Sequence, residues 1–435
     1  MLYTMSISEK NFNKAYNFFL IIIAVMMIFR KPCTWLIISF VLFNLIFLKK
    51  LKYSKDSIIL AFIIASPFLL EILFFWNNAS YLLGVKSLEK STSLLIFPLF
   101  ILGNYQRIDF NKILQIYSKI TTCLVLFLFF RFLIIYPELI NKYIKGIDLW
   151  EMGYRFTDSF GIHAPALNMH LAFVSIINLY FLFYSFQNKK RFTVKTINLF
   201  LFIVSFFLIL FVNTRLALFD ALIGFALVFF YEIIKKHSFK KVLGVLSILT
   251  ISLGIVFYVY IQSNPYMKEK YYTVTFAHMD KVGKLDEIKN PEAEVYNSFV
   301  TRVSIWKSAW DLSLKNLPFG VGAADGKPEL FKYYRQTNQK FLAKYNFPTH
   351  NQYLDYLLKF GIFGVIVVFI YIINIGYLGF STKNAIILSF FFIFFTSNIT
   401  DDYLIRFDGI AFSGLWASIF GSYWLQQKRL PVNVG

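Results

Sequence analysis

Residues 191–236 read RFTVKTINLFLFIVSFFLILFVNTRLALFDALIGFALVFFYEIIKK. Two apolar runs, 197–213 and 216–233, meet at Asn213-Thr214-Arg215 and are bracketed by the basic clusters Lys189/Lys190/Arg191/Lys195 and Lys235/Lys236/Lys240/Lys241. A nearly uncharged run of about 20 residues is long enough as a helix to cross a bilayer's hydrocarbon core. Basic residues collect on the cytoplasmic side of such runs, so the pair reads as a hairpin with its basic flanks inside and its Asn213–Arg215 turn outside.

Outward from this hairpin the same pattern repeats. Apolar runs lie near 15–30, 33–48, 57–76, 91–104, 119–137, 165–186, 197–213, 216–233, 243–261, 361–380, 385–398 and 409–425. With the N-terminus in the cytoplasm, Lys49/Lys50/Lys52/Lys55 and Lys428/Arg429 also fall inside, and the segments 138–164 and 262–360 fall outside. Hydrophobic residues make up 57% of the chain and charged ones 16%, which excludes a soluble globular protein. The expected fold is an all-α integral membrane protein of about 12 transmembrane helices. Residues 1–261 form spans 1–9, 262–360 a helical extracytoplasmic lid, and 361–435 spans 10–12 with a short cytoplasmic tail. The net charge of +20 follows from a basic cytoplasmic surface facing anionic lipid, so no nucleic-acid partner is implied. The first run has no small-residue cleavage site after it and reads as an anchor. Cys33 and Cys123 lie at or inside spans and cannot build a disulfide framework.

The lid is the longest segment of low apolar density, and long connections of this kind are usually functional. One helix is expected to start at Asn297 or Ser298, with Phe299, Val303, Trp306, Trp310 and Leu314 as an apolar stripe on its membrane-side face. It should stop at Asn316-Leu317-Pro318-Phe319-Gly320-Val321-Gly322, where proline ends the helix and the glycines allow a tight turn or the close approach of a ligand. A second helix is signalled by Pro348-Thr349-His350-Asn351-Gln352. Thr349 and Gln352 fit a capping box, which puts His350 in the first turn.

The order Arg302-x-x-x-Trp306, Asn316-x-Pro318-x-Gly320-x-Gly322, His350-Asn351-x-Tyr353-Leu354 and Gly361-x-x-Gly364 resembles the O-antigen ligase and O-antigen polymerase superfamily of bacterial inner-membrane glycan transferases. The resemblance covers residues 299–364 by motif and the remainder by topology. It implies a polyprenyl (undecaprenyl) diphosphate-linked glycan donor and an acceptor hydroxyl on a second glycan such as a lipid A-core sugar. It further implies a metal-independent reaction at the outer face of the inner membrane, with no cofactor. It also implies an arginine after a short outward turn, a place held here by Arg215, with Leu216 standing where a glycine is frequent.

The chemistry agrees with these residue types. Breaking a glycosyl-diphosphate bond needs positive charge on the departing diphosphate and a group to take the acceptor's proton. Arg302 and Arg215 suit the first task through their planar forks, with lipid anchoring as the plain alternative. His350 suits the second, since a helix N-terminus favours the neutral imidazole that a base requires and also attracts an anion. Asn351, Trp306, Gly320, Gly322, His163 and His170 complete the candidate substrate-binding set. His163 and His170, seven apart, read as acceptor-site or structural residues facing one way, without the third ligand a metal pair would need. Arg131, an intramembrane charge, reads as a functional flag or as a packing or snorkelling cation, and Asp401, Asp402 and Arg406 as an outward turn that is solvated in preference to contacting the lid. Ligation of a finished polymer is favoured over polymerisation of repeat units on the same carrier. A non-catalytic translocator of lipid-linked sugars would leave the lid unexplained.

Overall fold

The computed structural model describes residues 8–145, 147, 149–234, 276–296 and 298–429, with isolated residues between 244 and 262. The ninth run, 243–261, and the Lys235–Lys241 cluster therefore lie largely outside the described residues. The architecture is all-α. The first helices are α1 (Glu9–Met26), α2 (Arg30–Ile46), α3 (Lys55–Leu73), α4 (Tyr81–Ser91), α5 (Ser93–Leu102) and α6 (Phe110–Ile135). Two short helices, α7 (Pro137–Ile144) and α8 (Leu149–Asp158), precede α9 (Ala164–Gln187), α10 (Phe192–Val212) and α11 (Arg215–Ile234). Next come α12 (Phe299–Lys315), α13 (Gly326–Gln336) and α14 (Lys340–Tyr345), followed by α15 (Gln352–Ser381), α16 (Ala385–Thr400) and α17 (Phe407–Arg429).

Among the described residues, α3, α6, α9, α10 and α15 are each long and apolar enough to cross a membrane, and α16 is a shorter apolar helix. The centre is α9, buried almost throughout and packed against α6, α10, α11 and α16. Interhelical hydrogen bonds substitute for the water that apolar surroundings lack. Asn178 Nδ2 donates to Thr122 Oγ1 at 3.0 Å and Ser205 Oγ at 3.2 Å, joining α9 to α6 and α10. Several helix starts carry side-chain caps. Ser54 and Ser57 form a capping box at α3, Asp109 accepts from Lys112 N at α6, and Asn384 accepts from Ile386 N and Ile387 N at α16. The run expected at 91–104 is α5, and the preceding α4 is a separate helix that the apolar pattern did not reveal because its exposed face is mixed.

The two ends of the bundle differ in kind. One end gathers Lys50, the Lys189–Lys195 connection and Lys428, whose Nζ lies 2.7 Å from Asp56 Oδ2. The other end carries residues 276–351, a small helical unit with its own core of Val300, Ile305, Ala309, Leu330, Tyr334, Phe341 and Phe347. Asp286 stabilises this unit by accepting from the Lys340 and Phe341 amides at the start of α14, at 2.9 and 2.8 Å. The expected stripe on α12 is corrected by the structure. Its buried face is Val300, Ser304, Ile305, Ser308, Ala309 and Leu312, while Trp310 and Leu314 are exposed. Small serines let α12 pack closely against its neighbours, a signal that a search for large apolar residues passes over.

Residues 318–322 are stitched to a break in α15. Val321 N donates to Leu358 O at 2.9 Å, Gly322 N to Lys359 O at 3.0 Å, and Ile362 N to Pro318 O at 3.1 Å. Gly361 turns the helix there with φ +61°, and a Cβ on it would lie 1.8 Å from Pro318 O. Gly320, at φ +74°, would place a Cβ 2.5 Å from the Lys359 carbonyl carbon. The close approach that these glycines permit is therefore to protein backbone. On the bundle side, Asn77 Nδ2 donates to Gly320 O at 3.1 Å, Ala324 N to Asn78 Oδ1 at 2.9 Å and Ala79 N to Asp325 Oδ2 at 2.8 Å, which locks the small unit to the end of α3.

Candidate active site

At the end that carries the small unit, a charged cluster is assembled from four separate parts of the chain. Arg215 begins α11 after a reversal of only two residues, made possible by Asn213 in the left-handed conformation at φ +57°. Asn168 Nδ2 of α9 holds that reversal through Thr214 Oγ1 at 2.7 Å. Arg302, on the first turn of α12, donates from Nη1 to Thr400 O at 2.8 Å, so its guanidinium sits at the carbonyl end of α16. Tyr154 of α8 feels the charges of both arginines. Burial raises its hydroxyl pKa, and Arg302 and Arg215 oppose that rise.

The capping box expected at α15 is not formed. His350 adopts a left-handed backbone at φ +46°, so Asn351 becomes the extended cap residue and accepts from Leu354 N at 3.0 Å. His350 therefore stands just before the helix and not in its first turn, and Thr349 is buried behind it. Its backbone is held by Trp306 Nε1, which donates to His350 O at 3.3 Å. Gln352 Oε1 accepts from Leu404 N at 2.6 Å and draws the 401–406 turn against the start of α15.

That turn is not solvated, contrary to the sequence expectation. Asp401 is 8% exposed and Asp402 fully buried. His350 Nδ1 lies 3.4 Å from Asp401 Oδ1, and Arg406 Nη2 donates to Asp401 Oδ1 at 3.2 Å and to Asp402 Oδ1 at 3.4 Å. Burial alone would raise the Asp401 pKa, but the His350 hydrogen bond and the Arg406 charge outweigh it and hold this carboxyl well below its ordinary range. Asp402, desolvated and beside the Asp401 charge, is pushed up. An ionised Asp401 only accepts, so His350 Nδ1 is the donor in this contact.

His163 caps α9 and lies 3.3 Å from Arg406 Nη1 through Nδ1. A guanidinium only donates, so this Nδ1 accepts and the proton sits on Nε2. Desolvation and then the Arg406 charge lower the His163 pKa. His170 is placed elsewhere. It is fully buried two turns deeper in α9 with its ring centroid 3.9 Å from that of Phe412. Seven residues of helix carry His170 about 10 Å along the axis from His163, into the core.

The structure thus brings together Arg215, Arg302, His350 and His163. It leaves Gly320 and Gly322 in the seam with α15, and Asn351 is occupied as a cap. Asp401, Arg406 and Tyr154 join the cluster and were missed as site residues. The available signal was three charges within six residues between two apolar runs. Arg131 lies on the exposed face of α6, as a snorkelling cation would. One oxygen each of Asp401 and Asp402 and a His350 nitrogen lie within 4.8 Å of one another, a spacing that could hold a cation. Arg406 already donates to both carboxylates and supplies that charge.

A search of curated proteins found none that matches this chain. Residues 200–369 match the family model described as O-antigen ligase. That segment runs from α10 into α15 and contains Arg215, Arg302, Trp306, the 318–322 turn and His350, and over it the chain is similar to that family.

Proposed function

We propose that the protein is a membrane glycosyltransferase of the ligase type. It moves a glycan from a polyprenyl diphosphate carrier to a hydroxyl of a lipid A-core sugar at the outer face of the bacterial inner membrane. The observation that carries this reading is the convergence of Arg215, Arg302 and the His350–Asp401 pair at one end of the bundle. In the reaction the acceptor oxygen attacks the anomeric carbon, and the bond from that carbon to the diphosphate oxygen breaks. The diphosphate leaves with the bonding electrons, and the hydroxyl proton passes to His350 Nε2. Arg215 and Arg302 meet the negative charge that grows on the leaving group, and Tyr154, which feels both charges, orients a phosphate or sugar oxygen. Asp401 stabilises the imidazolium formed and is a positioning residue.

Residues 276–351 act as a lid over this site, and the bundle makes twelve passages with its basic end in the cytoplasm. The separation of Lys50, Lys189–Lys195 and Lys428 from the lid supports that orientation. In a variant with Cys33 and Cys123 replaced, cysteines at Asn188 and Lys284 should react with an impermeant thiol reagent from opposite sides. Equal labelling from outside would overturn the topology. The function is tested by deleting the protein and running glycolipids on a gel. A bare core with polymer still on the carrier supports ligation, whereas a core bearing a single repeat indicates a polymerase.

A further inference from the structure

A second basic site lies on the other flank of the 401–406 turn. A cavity of about 190 Å³ opens between α3, α4, the start of α13, α15 and the residues Leu404 and Ile405. Four lysines line it, namely Lys86, Lys90, Lys327 and Lys359, against one lining carboxylate, Glu71. Lys359 Nζ is neutralised by Asp355 Oδ2 at 2.6 Å, and Glu71 Oε2 accepts from Ser87 Oγ at 2.9 Å. Among the described residues, Lys86, Lys90 and Lys327 make no ion pair within 4 Å, so the cavity keeps an excess of positive charge.

These lysines stand at the end opposite the bundle's basic flanks, where the usual distribution of lysine around membrane helices does not account for them. Lys86 and Lys90 are four apart and share one face of α4, while Lys327 sits in the first turn of α13, where helix amides also favour an anion. Four apolar residues of α4, Tyr81, Leu82, Leu83 and Val85, are between 40% and 76% exposed, beside the exposed charges Lys86, Glu89 and Lys90. A helix of that composition lies in the membrane interface with its lysines at headgroup depth. The ligand therefore reaches the cavity from the lipid phase.

We infer that this cavity is a second anion site that binds the phosphomonoester of a lipid headgroup, separate from the His350 cluster. The phosphate belongs either to the glycolipid acceptor or to an anionic bilayer lipid. The choice between these sources rests on the transferase reading, but the site itself does not. The probe is short-chain phosphatidic acid, titrated against the full-length protein in detergent, with short-chain phosphatidylcholine as the control. Phosphatidic acid should bind and phosphatidylcholine should not, and Lys86→Ala/Lys90→Ala/Lys327→Ala should weaken binding at least about tenfold. His350→Ala should bind as the wild type does. Lys327→Gln alone, which preserves the helix start, should show a smaller loss in the same direction.

Transfer assays then identify the source. If the acceptor supplies the phosphate, the triple variant raises KM for phosphorylated acceptor, leaves kcat unchanged, and does not alter KM for dephosphorylated acceptor. If the bilayer supplies it, both KM values stay at wild type while phosphatidic acid binding is still lost. Unchanged phosphatidic acid affinity in a folded triple variant, or equal binding of phosphatidylcholine, would overturn the site whatever reaction the protein catalyses.

Discussion

Asp401 Oδ1 and His350 Nδ1 lie 3.4 Å apart although 51 residues separate them in the chain. The contact joins the end of α16 to the residue before the Asn351 cap of α15, and Arg406 and the Asp402 amide hold the same carboxylate from other directions, the amide at 2.9 Å. A carboxylate fixed in this way sets both the tautomer and the direction of the imidazole.

Asp401→Asn should therefore slow glycan transfer about 10²-fold or more without unfolding the protein, and His350→Ala should slow it about 10² to 10⁴-fold. Because the two act as one unit, the double variant should be no slower than His350→Ala alone. Multiplicative losses in single-turnover transfer would show that Asp401 works independently of the imidazole.

Arg302 spends one guanidinium nitrogen on Thr400 O, at 2.8 Å, and has others left for a phosphate. A lysine ammonium cannot reproduce that planar fork. Arg302→Lys should thus lose nearly as much kcat/KM as Arg302→Ala, with carrier-lipid binding weakened in both. Wild-type turnover of a stably expressed Arg302→Lys would reduce the residue to a helix cap for α16.

The seam between residues 318–322 and α15 predicts a sharp difference between two glycines. Gly361→Ala would force a Cβ to within 1.8 Å of Pro318 O at a positive φ, so the break in α15 or the turn must give way. Gly161, also at positive φ, has nothing within 4 Å of its would-be Cβ, and Gly161→Ala should cost only about 1 kcal/mol of backbone strain. Thermal unfolding in detergent should show a small shift for Gly161→Ala and loss of folded protein for Gly361→Ala. Similar midpoints would mean that the seam relaxes freely.

The fold class was legible because spans announce themselves through composition, and Arg302, Trp306 and His350 because their motif order is preserved in one continuous stretch. Asp401 and Arg406 were not, since a charged turn between apolar runs looks alike whether solvated or buried. Contacts with distant segments pull this one inward, among them the Gln352–Leu404 hydrogen bond. The left-handed backbone of His350 was equally hidden, because Thr349 and Gln352 offered a plausible cap two residues earlier than Asn351. Of the two roles open to His170, structural or acceptor-binding, its full burial two turns into α9 favours the structural one.

The last prediction concerns pH and Asp402, whose carboxyl pKa is raised by burial and then by the neighbouring Asp401 charge. An unfolded aspartate titrates near about 3.9, so above that value the folded protein binds more protons than the unfolded chain. Stability falls with rising pH wherever the native state holds the extra proton, so this contribution is complete below about 3.9 and is lost as pH climbs through the raised folded value. Asp402→Asn keeps an oxygen for Arg406 but cannot ionise, and should flatten that decline. Unfolding midpoints of both proteins, measured from mildly acidic to mildly alkaline pH, should diverge, with the variant relatively more stable at the alkaline end. A constant difference between them across the range would mean that Asp402 is ionised in the native state throughout, with Arg406 stabilising both carboxylates.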